Sequence, residues 1–189
     1  MWCDETSLSV WNPIKRRTWT DGSISLPMQS YRGANRTVLG ALFDVDGTGR
    51  PGLFCTVAGR TNKESFLDFL QKLLSYLRLH KIDTDNVVLL ADNHSAHRAK
   101  IVKEYLREQQ VTLHFISSYS SPFNVIEHVW SALKSRFAKD LASMREKYNH
   151  EGFDRHLKVI CAQIENKLTR KILTSNEKYI DKTREGLLI

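Results

Sequence analysis

Three acidic residues stand apart from the rest by placement. Asp4 falls on the apolar face of an opening strand, Asp92 follows the unbroken apolar run Val87-Val88-Leu89-Leu90-Ala91, and Glu127 lies on a later helix. A carboxylate among apolar neighbours is costly unless it is paired, protonated or bound to a metal. Three carboxylates brought to one end of a sheet repel one another and raise one another's pKa values. A pair of divalent cations resolves that conflict. Hard oxygen donors with no cysteine among them suit Mg²⁺ or Mn²⁺ rather than zinc. Two such ions, about 3.5–4 Å apart, can activate an attacking hydroxyl and stabilise the leaving oxygen of a phosphodiester.

A second acidic pair competes for attention. Asp44-Val45-Asp46-Gly47-Thr48 follows an apolar strand and resembles the nucleophile motif of haloacid-dehalogenase-like phosphatases, in which Asp44 would attack phosphorus and Asp46 would serve as acid and base. That class needs a catalytic loop and a helical region after the strand, then a lysine and a late acidic pair. Here a Gly- and Pro-rich turn leads straight into another strand, and Asp92-Asn93 offers one acid rather than two. Asp-Gly is a strong hairpin signal, so a hairpin turn is expected here and the phosphatase is kept only as a distant alternative. A zinc site drawn from Asp92, His94, His97 and His128 fares no better. His94 and His97 straddle a strand-to-helix turn, and His128 points about 100° round its helix from Glu127.

The elements that must position these acids are legible from periodicity. Residues 2 to 10 alternate with a period of two, as a strand with one apolar face does, and Asp4 sits on that face. Residues 12 to 35 are rich in Pro, Gly, Ser and Asn. Two strands follow, roughly Thr37 to Phe43 and Leu53 to Ala58. Thr61-Asn62-Lys63-Glu64 resembles a capping box ahead of a helix with Phe66, Leu67, Phe69, Leu70, Leu73, Leu74 and Leu77 at helical spacing. The run Val87 to Ala91 predicts a central strand covered on both faces, with Asp92 at its C-terminal end, where α/β sheets place ligand sites. A second helix with Ala99, Val102, Tyr105 and Leu106 inward precedes a strand over Val111 to Ile116. Ser121-Pro122 predicts an N-cap and first helical position. On the helix they open, Ile126, Trp130, Leu133 and Phe137 face the core. Beside them Asn124, Glu127, Ser131 and Lys134 form a polar stripe that aims Glu127 towards the sheet rather than open water. Phe153, Leu157, Ile160, Cys161, Ile164 and Leu168 mark a last amphipathic helix. The order βββαβαβα is α/β.

The 189 residues suit one domain, or one domain with a helical extension. A net charge of +7 suggests a polyanionic partner, nucleic acid first, with Lys15-Arg16-Arg17 the only tight basic cluster. The three cysteines, Cys3, Cys55 and Cys161, lie far apart without a CxxC pair, which argues for a reducing compartment and against a disulfide framework. No apolar run is long enough to span a bilayer. The opening residues lack a secretory pattern, so the chain is not expected to be secreted and no membrane partner is expected.

DNHSAHRAKIV followed by YSSPFNVIEHVWSALK resembles the second half of the catalytic domain of Tc1/mariner and insertion-sequence-630-type transposases, whose pattern is roughly DNxxxHxA and then PPYSPDLNPIExxWxxLK. The opening CDETS is similar to their first-aspartate strand. Asp92 and Glu127 enclose 34 residues, the separation typical of the Tc1 branch. Ser117, Ser118, Ser121 and Val125 replace family prolines, and Pro122 stands where Asp is usual, while the turn keeps its length, its Tyr and Ser, Asn124 and Glu127.

The resemblance covers about residues 2 to 140. It implies an RNase H-like fold with a mixed central sheet in a catalytic domain over residues 1–140, followed by a helical extension over 141–189. It implies a DDE endonuclease that cuts and transfers strands of double-stranded DNA at transposon ends and target sites, with Asp4, Asp92 and Glu127 holding two Mg²⁺ or Mn²⁺ ions, and a homodimer in the full-length protein. Carried over by position, His97 would brace the loop after Asp92, Asn124 would hold the turn before the Glu127 helix, and Asn93 matches a family position. Trp130 reads as packing, and Lys134 would touch a DNA phosphate alongside the Lys15-Arg16-Arg17 cluster. Only three residues precede Asp4, and the paired helix-turn-helix domains of that family have no counterpart. The expectation is an excised catalytic domain or the remnant of a longer transposase. The alternative function is a catalytically inactive or domesticated remnant that serves as a DNA-binding module.

Overall fold

Alternating residues at the start of the chain form strand β1 (Trp2–Ser9), and the rest of the sheet is laid down on either side of it. The computed structural model describes residues 1–9, 35–45, 50–82, 84, 87–117, 124–144 and 150–167. Strands β2 (Asn35–Val45) and β3 (Arg50–Ala58) pair antiparallel with each other, and β2 pairs antiparallel with β1. Helix α1 (Lys63–Leu79), strand β4 (Val88–Ala91), helix α2 (Lys100–Glu108) and strand β5 (Thr112–Phe115) follow. They lead to helices α3 (Ile126–Met144) and α4 (His150–Lys167). The sheet is mixed, in the order β3-β2-β1-β4-β5, with β4 parallel to both β1 and β5.

The sequence placed the central strand at Val87 to Ala91, but the middle of the sheet is β1. Strand β4 is second from the edge and begins with an exposed Val88. Nor does β1 have a single covered face: Leu8 joins the core beneath α3 and α4, while Cys3 is buried in the core beneath α1 and α2. A strand flanked on both sides and covered above and below tolerates a small residue such as cysteine on its second face, which weakens the alternation signal. The same two-sided burial makes β2 nearly continuous in apolar residues. Val38 and Leu42 face one core, while Leu39, Ala41 and Phe43 face the other.

Helix α1 buries the stripe its spacing predicted, Phe66, Phe69, Leu70, Leu73, Leu74 and Leu77. Its cap is one residue later than the sequence suggested. Asn62 Oδ1 accepts from the Ser65 amide at 2.7 Å, and Ser65 Oγ accepts from the Asn62 amide at 2.9 Å. Helix α3 buries Ile126, Val129, Trp130, Leu133 and Phe137. Phe153, Leu157 and Ile160 of α4 complete that same core, and Arg36 on β2 is tied to Asp154 on α4 at 2.6 Å.

Candidate active site

Register brings the first two acids together. Trp2 pairs with Leu90 in the parallel β1–β4 ladder, so two residues further on Asp4 in β1 is level with Asp92, the first residue past β4. Asp44 lies at the opposite end. On antiparallel β2, Leu42 is opposite Trp2 and Gly40 is opposite Asp4, which puts Asp44 about 13 Å along the strand from the level of Asp4. It belongs to the β2–β3 hairpin, opposite Pro51, and not to a nucleophile loop before a helix, so nothing supports the phosphatase reading. Asp46 lies outside the described residues.

Asp4 is buried and tightly held. Its Oδ1 accepts from the Glu5 amide at 2.8 Å, and its Oδ2 accepts from Asn124 Nδ2 and from Trp130 Nε1, each at 3.2 Å. Burial pushes its pKa up to about 6, the Glu5 amide pulls it back, and the negative charges of Glu127, Glu5 and Asp92 raise it further. Of the three acids singled out in the sequence, Glu127 and Asp92 thus both act on Asp4. Trp130 is core packing, as its spacing suggested, and also a donor to Asp4. Asn124 is buried with its side chain on Asp4; the turn is held by its carbonyl, which accepts from the Glu127 amide at 3.0 Å.

Asp92 is half exposed and kept ionised. Its Oδ1 accepts from His97 Nδ1 at 2.8 Å and from the His94 amide at 2.9 Å. The His97 hydrogen bond is the main cause that lowers its pKa, partly opposed by burial. Glu127 is the second residue of α3, where a negative charge suits the helix dipole. It is exposed rather than turned under the sheet as its stripe suggested.

His97 is fully buried against Phe66, with ring centroids 4.2 Å apart, and bridges Asp92 to Glu5. Its Nε2 is 3.0 Å from Glu5 Oε2, a short ion contact whose alignment is too poor for a hydrogen bond. Burial lowers the imidazole pKa, but Asp92 and Glu5 outweigh it and lift the value to about 9. Glu5 was missed in the sequence because it lies on the odd face of β1, whose polar residues resembled a solvent side. The available signal was an acid directly beside Asp4. Asn93 Nδ2 donates to the Ile116 carbonyl at 3.3 Å, which ties the loop after β4 to the end of β5. Lys134 is exposed on α3, two turns beyond Glu127. His128 is exposed on α3 as well, and Lys15, Arg16, Arg17, Ser121 and Pro122 lie outside the described residues.

The donor set fits hard divalent cations. Asp4, Asp92 and Glu127 offer only carboxylate oxygens, and among the described residues no lysine or arginine pairs with any of them. The raised Asp4 pKa comes first from burial, and the nearby charges of Glu127, Glu5 and Asp92 add to it. None of the three cysteines is in a disulfide, and none lies in this group.

Comparison with known proteins gives a family and a fold. A family model described as DDE superfamily endonuclease matches residues 1–148. The crystal structure of the mariner Mos1 paired end complex with Mg aligns with 96% of this chain and 53% of its own, at 17% identity and a TM-score of 0.64. The same complex with Mn aligns with 93% and 54%, at 16% identity and a TM-score of 0.54. A chain of the simian T-cell lymphotropic virus intasome in complex with PP2A regulatory subunit B56 gamma aligns with 88% and 48%, at 13% identity and a TM-score of 0.58. The fold is RNase H-like, as in transposase and integrase catalytic domains, and the chain spans about half the length of these structures. No curated protein matches.

Proposed function

We propose, for a chain that belongs to the DDE superfamily endonuclease family, that Asp4, Asp92 and Glu127 hold two Mg²⁺ or Mn²⁺ ions and that the domain cleaves and joins DNA strands at transposon ends. The observation that carries this reading is geometric: the β1–β4 register sets Asp4 level with Asp92, and Asp4 Oδ2 is held by Asn124 and Trp130, which bracket Glu127 in sequence at the start of α3. When bound, the ions would activate the attacking hydroxyl and offset charge on the leaving oxygen. The chain's own residues prepare their ligands. Asn124 and Trp130 fix Asp4 Oδ2, His97 fixes Asp92 Oδ1, and exposed Glu127 closes the set from the start of α3.

Hydrolysis breaks a phosphodiester and frees a 3′-hydroxyl. That hydroxyl then attacks a target phosphodiester at the same centre, forming one P–O bond as another breaks, with no covalent protein–DNA intermediate. The net charge of +7 and the exposed Lys134 suit duplex DNA as substrate. In this reading residues 1–140 carry the chemistry, and of the expected extension over 141–189, α4 packs on the same core while residues 145–149 and 168–189 lie outside the described residues. The paired end complexes of Mos1 transposase suggest that the full-length protein works as a homodimer.

The test is Mn²⁺-dependent nicking of supercoiled plasmid, together with joining of an oligonucleotide bearing a free 3′-hydroxyl to that plasmid. Both activities are expected in the wild type and absent in Asp92→Asn. Nicking that persists in the variant, or no nicking by the wild type at saturating Mn²⁺, contradicts the proposal.

A further inference from the structure

Beside the three acids lies a different set of ligands. Glu5, His94 and His97 place one ligand atom each within 4.8 Å of one another. Glu5 Oε1 is 3.4 Å from His94 Nδ1, and Glu5 Oε2 is 3.0 Å from His97 Nε2. For metal–ligand bonds near 2.0–2.1 Å, the edge of a coordination tetrahedron is about 3.3 Å, so each pair is spaced as two donors on one ion, with Glu5 meeting the two imidazoles through different oxygens. Two of these atoms face each other as an ion contact and have no further partner. Glu5 Oε2 and His97 Nε2 are buried without a hydrogen-bond partner, and the His97 ring is fully enclosed.

The opposite side of that ring completes the pattern. His97 Nδ1 is 2.8 Å from Asp92 Oδ1. A carboxylate on the far nitrogen fixes the tautomer and strengthens the near nitrogen as a metal ligand. Half-exposed His94 leaves a route from solvent and a fourth position for water.

We propose that Glu5, His94 and His97 form a zinc site next to the three-acid centre and separate from it. Two imidazoles and one carboxylate select zinc over Mg²⁺, which takes oxygen donors. The site lies where the sheet needs a fastening. The β1–β4 ladder pairs Trp2 with Leu90, and the Met1 carbonyl accepts from the Leu90 amide at 2.7 Å, whereas three residues along β1 the link to the loop after β4 runs through side chains. An ion held there would clamp β1 to that loop and, through His97, set the position of Asp92. The site does not depend on the nuclease reading.

The test is a calorimetric titration of Zn²⁺ into the purified protein in excess Mg²⁺, which occupies the oxygen-only sites. One Zn²⁺ per chain is expected. His94→Ala, at an exposed position, should weaken binding by roughly tenfold or more, and Glu127→Gln should leave it unchanged. X-ray absorption of the zinc complex should count two imidazole nitrogens. No stoichiometric binding, binding indifferent to His94→Ala, or binding lost in Glu127→Gln would each overturn the proposal, the last by assigning the ion to the three-acid centre.

Discussion

Trp130 Nε1 donates a hydrogen bond to Asp4 Oδ2 at 3.2 Å, joining helix α3 to strand β1 across 126 residues of sequence. One indole therefore fills the core and orients the first acid. Space for it is made by Gly40, opposite Asp4 in the ladder, where a Cβ would come within 2.4 Å of Trp130 Cη2. Packing and chemistry share these three residues.

Trp130→Phe keeps a ring in the core and removes the donor. We expect a stability loss of about 1–2 kcal/mol and a several-fold weaker Mn²⁺ affinity, because Asp4 loses a hydrogen bond to its charged form. Denaturant unfolding and calorimetry measure the two effects. Val129→Ala, also in the α3 core, should lose stability without losing metal affinity. Equal metal affinity in wild type and Trp130→Phe would show that the indole is packing alone.

Gly40→Ala should cost about 1–3 kcal/mol as an overpacked core position, and the forced shift of the indole should weaken Mn²⁺ binding as well. A variant as stable as the wild type would mean that the indole has room to move.

Burial lifts the Asp4 pKa from an ordinary 3.8 to about 6. In metal-free protein the folded state therefore keeps a proton that the unfolded chain has released between those values. The stability this group contributes is complete below pH 3.8 and is lost as pH rises through about 6. Metal binding runs the other way, since the ion competes with the proton. At pH 5 about one tenth of Asp4 is ionised, so Mn²⁺ affinity should be about tenfold lower than at pH 7.5. Calorimetry at the two pH values checks this. An unchanged affinity would remove Asp4 from the ligand set.

Lys134→Ala should weaken binding to any duplex DNA and reduce the slope of log affinity against log salt by about 1, with no change in unfolding. Fluorescence anisotropy over a salt series reads this out. An unchanged slope would place DNA elsewhere on the surface.

Local chemistry was legible in the sequence. The α1 stripe, the antiparallel pairing of β2 with β3 and the position of Asp92 after an apolar strand each depend on neighbours a few residues apart. The roles of Glu5 and of the Trp130 N–H did not emerge, because they depend on how β1 pairs with β4 and on where α3 crosses β1. Cys3 masked the second covered face of β1 in the same way. The α1 cap was displaced by one residue because Asn62 with Ser65 and Thr61 with Glu64 both satisfy the spacing, and only the observed hydrogen bonds choose between them.

The central claim is that Asp4, Asp92 and Glu127 form one cation centre. Its most direct test is calorimetric titration of Mn²⁺ into the wild type, Asp92→Asn and Glu127→Gln at pH 7.5. Both altered side chains are exposed enough for the fold to persist. Saturable binding in the wild type that is lost or strongly weakened in each variant, with unfolding midpoints unchanged, is the predicted result. Binding that survives in either variant would contradict the claim.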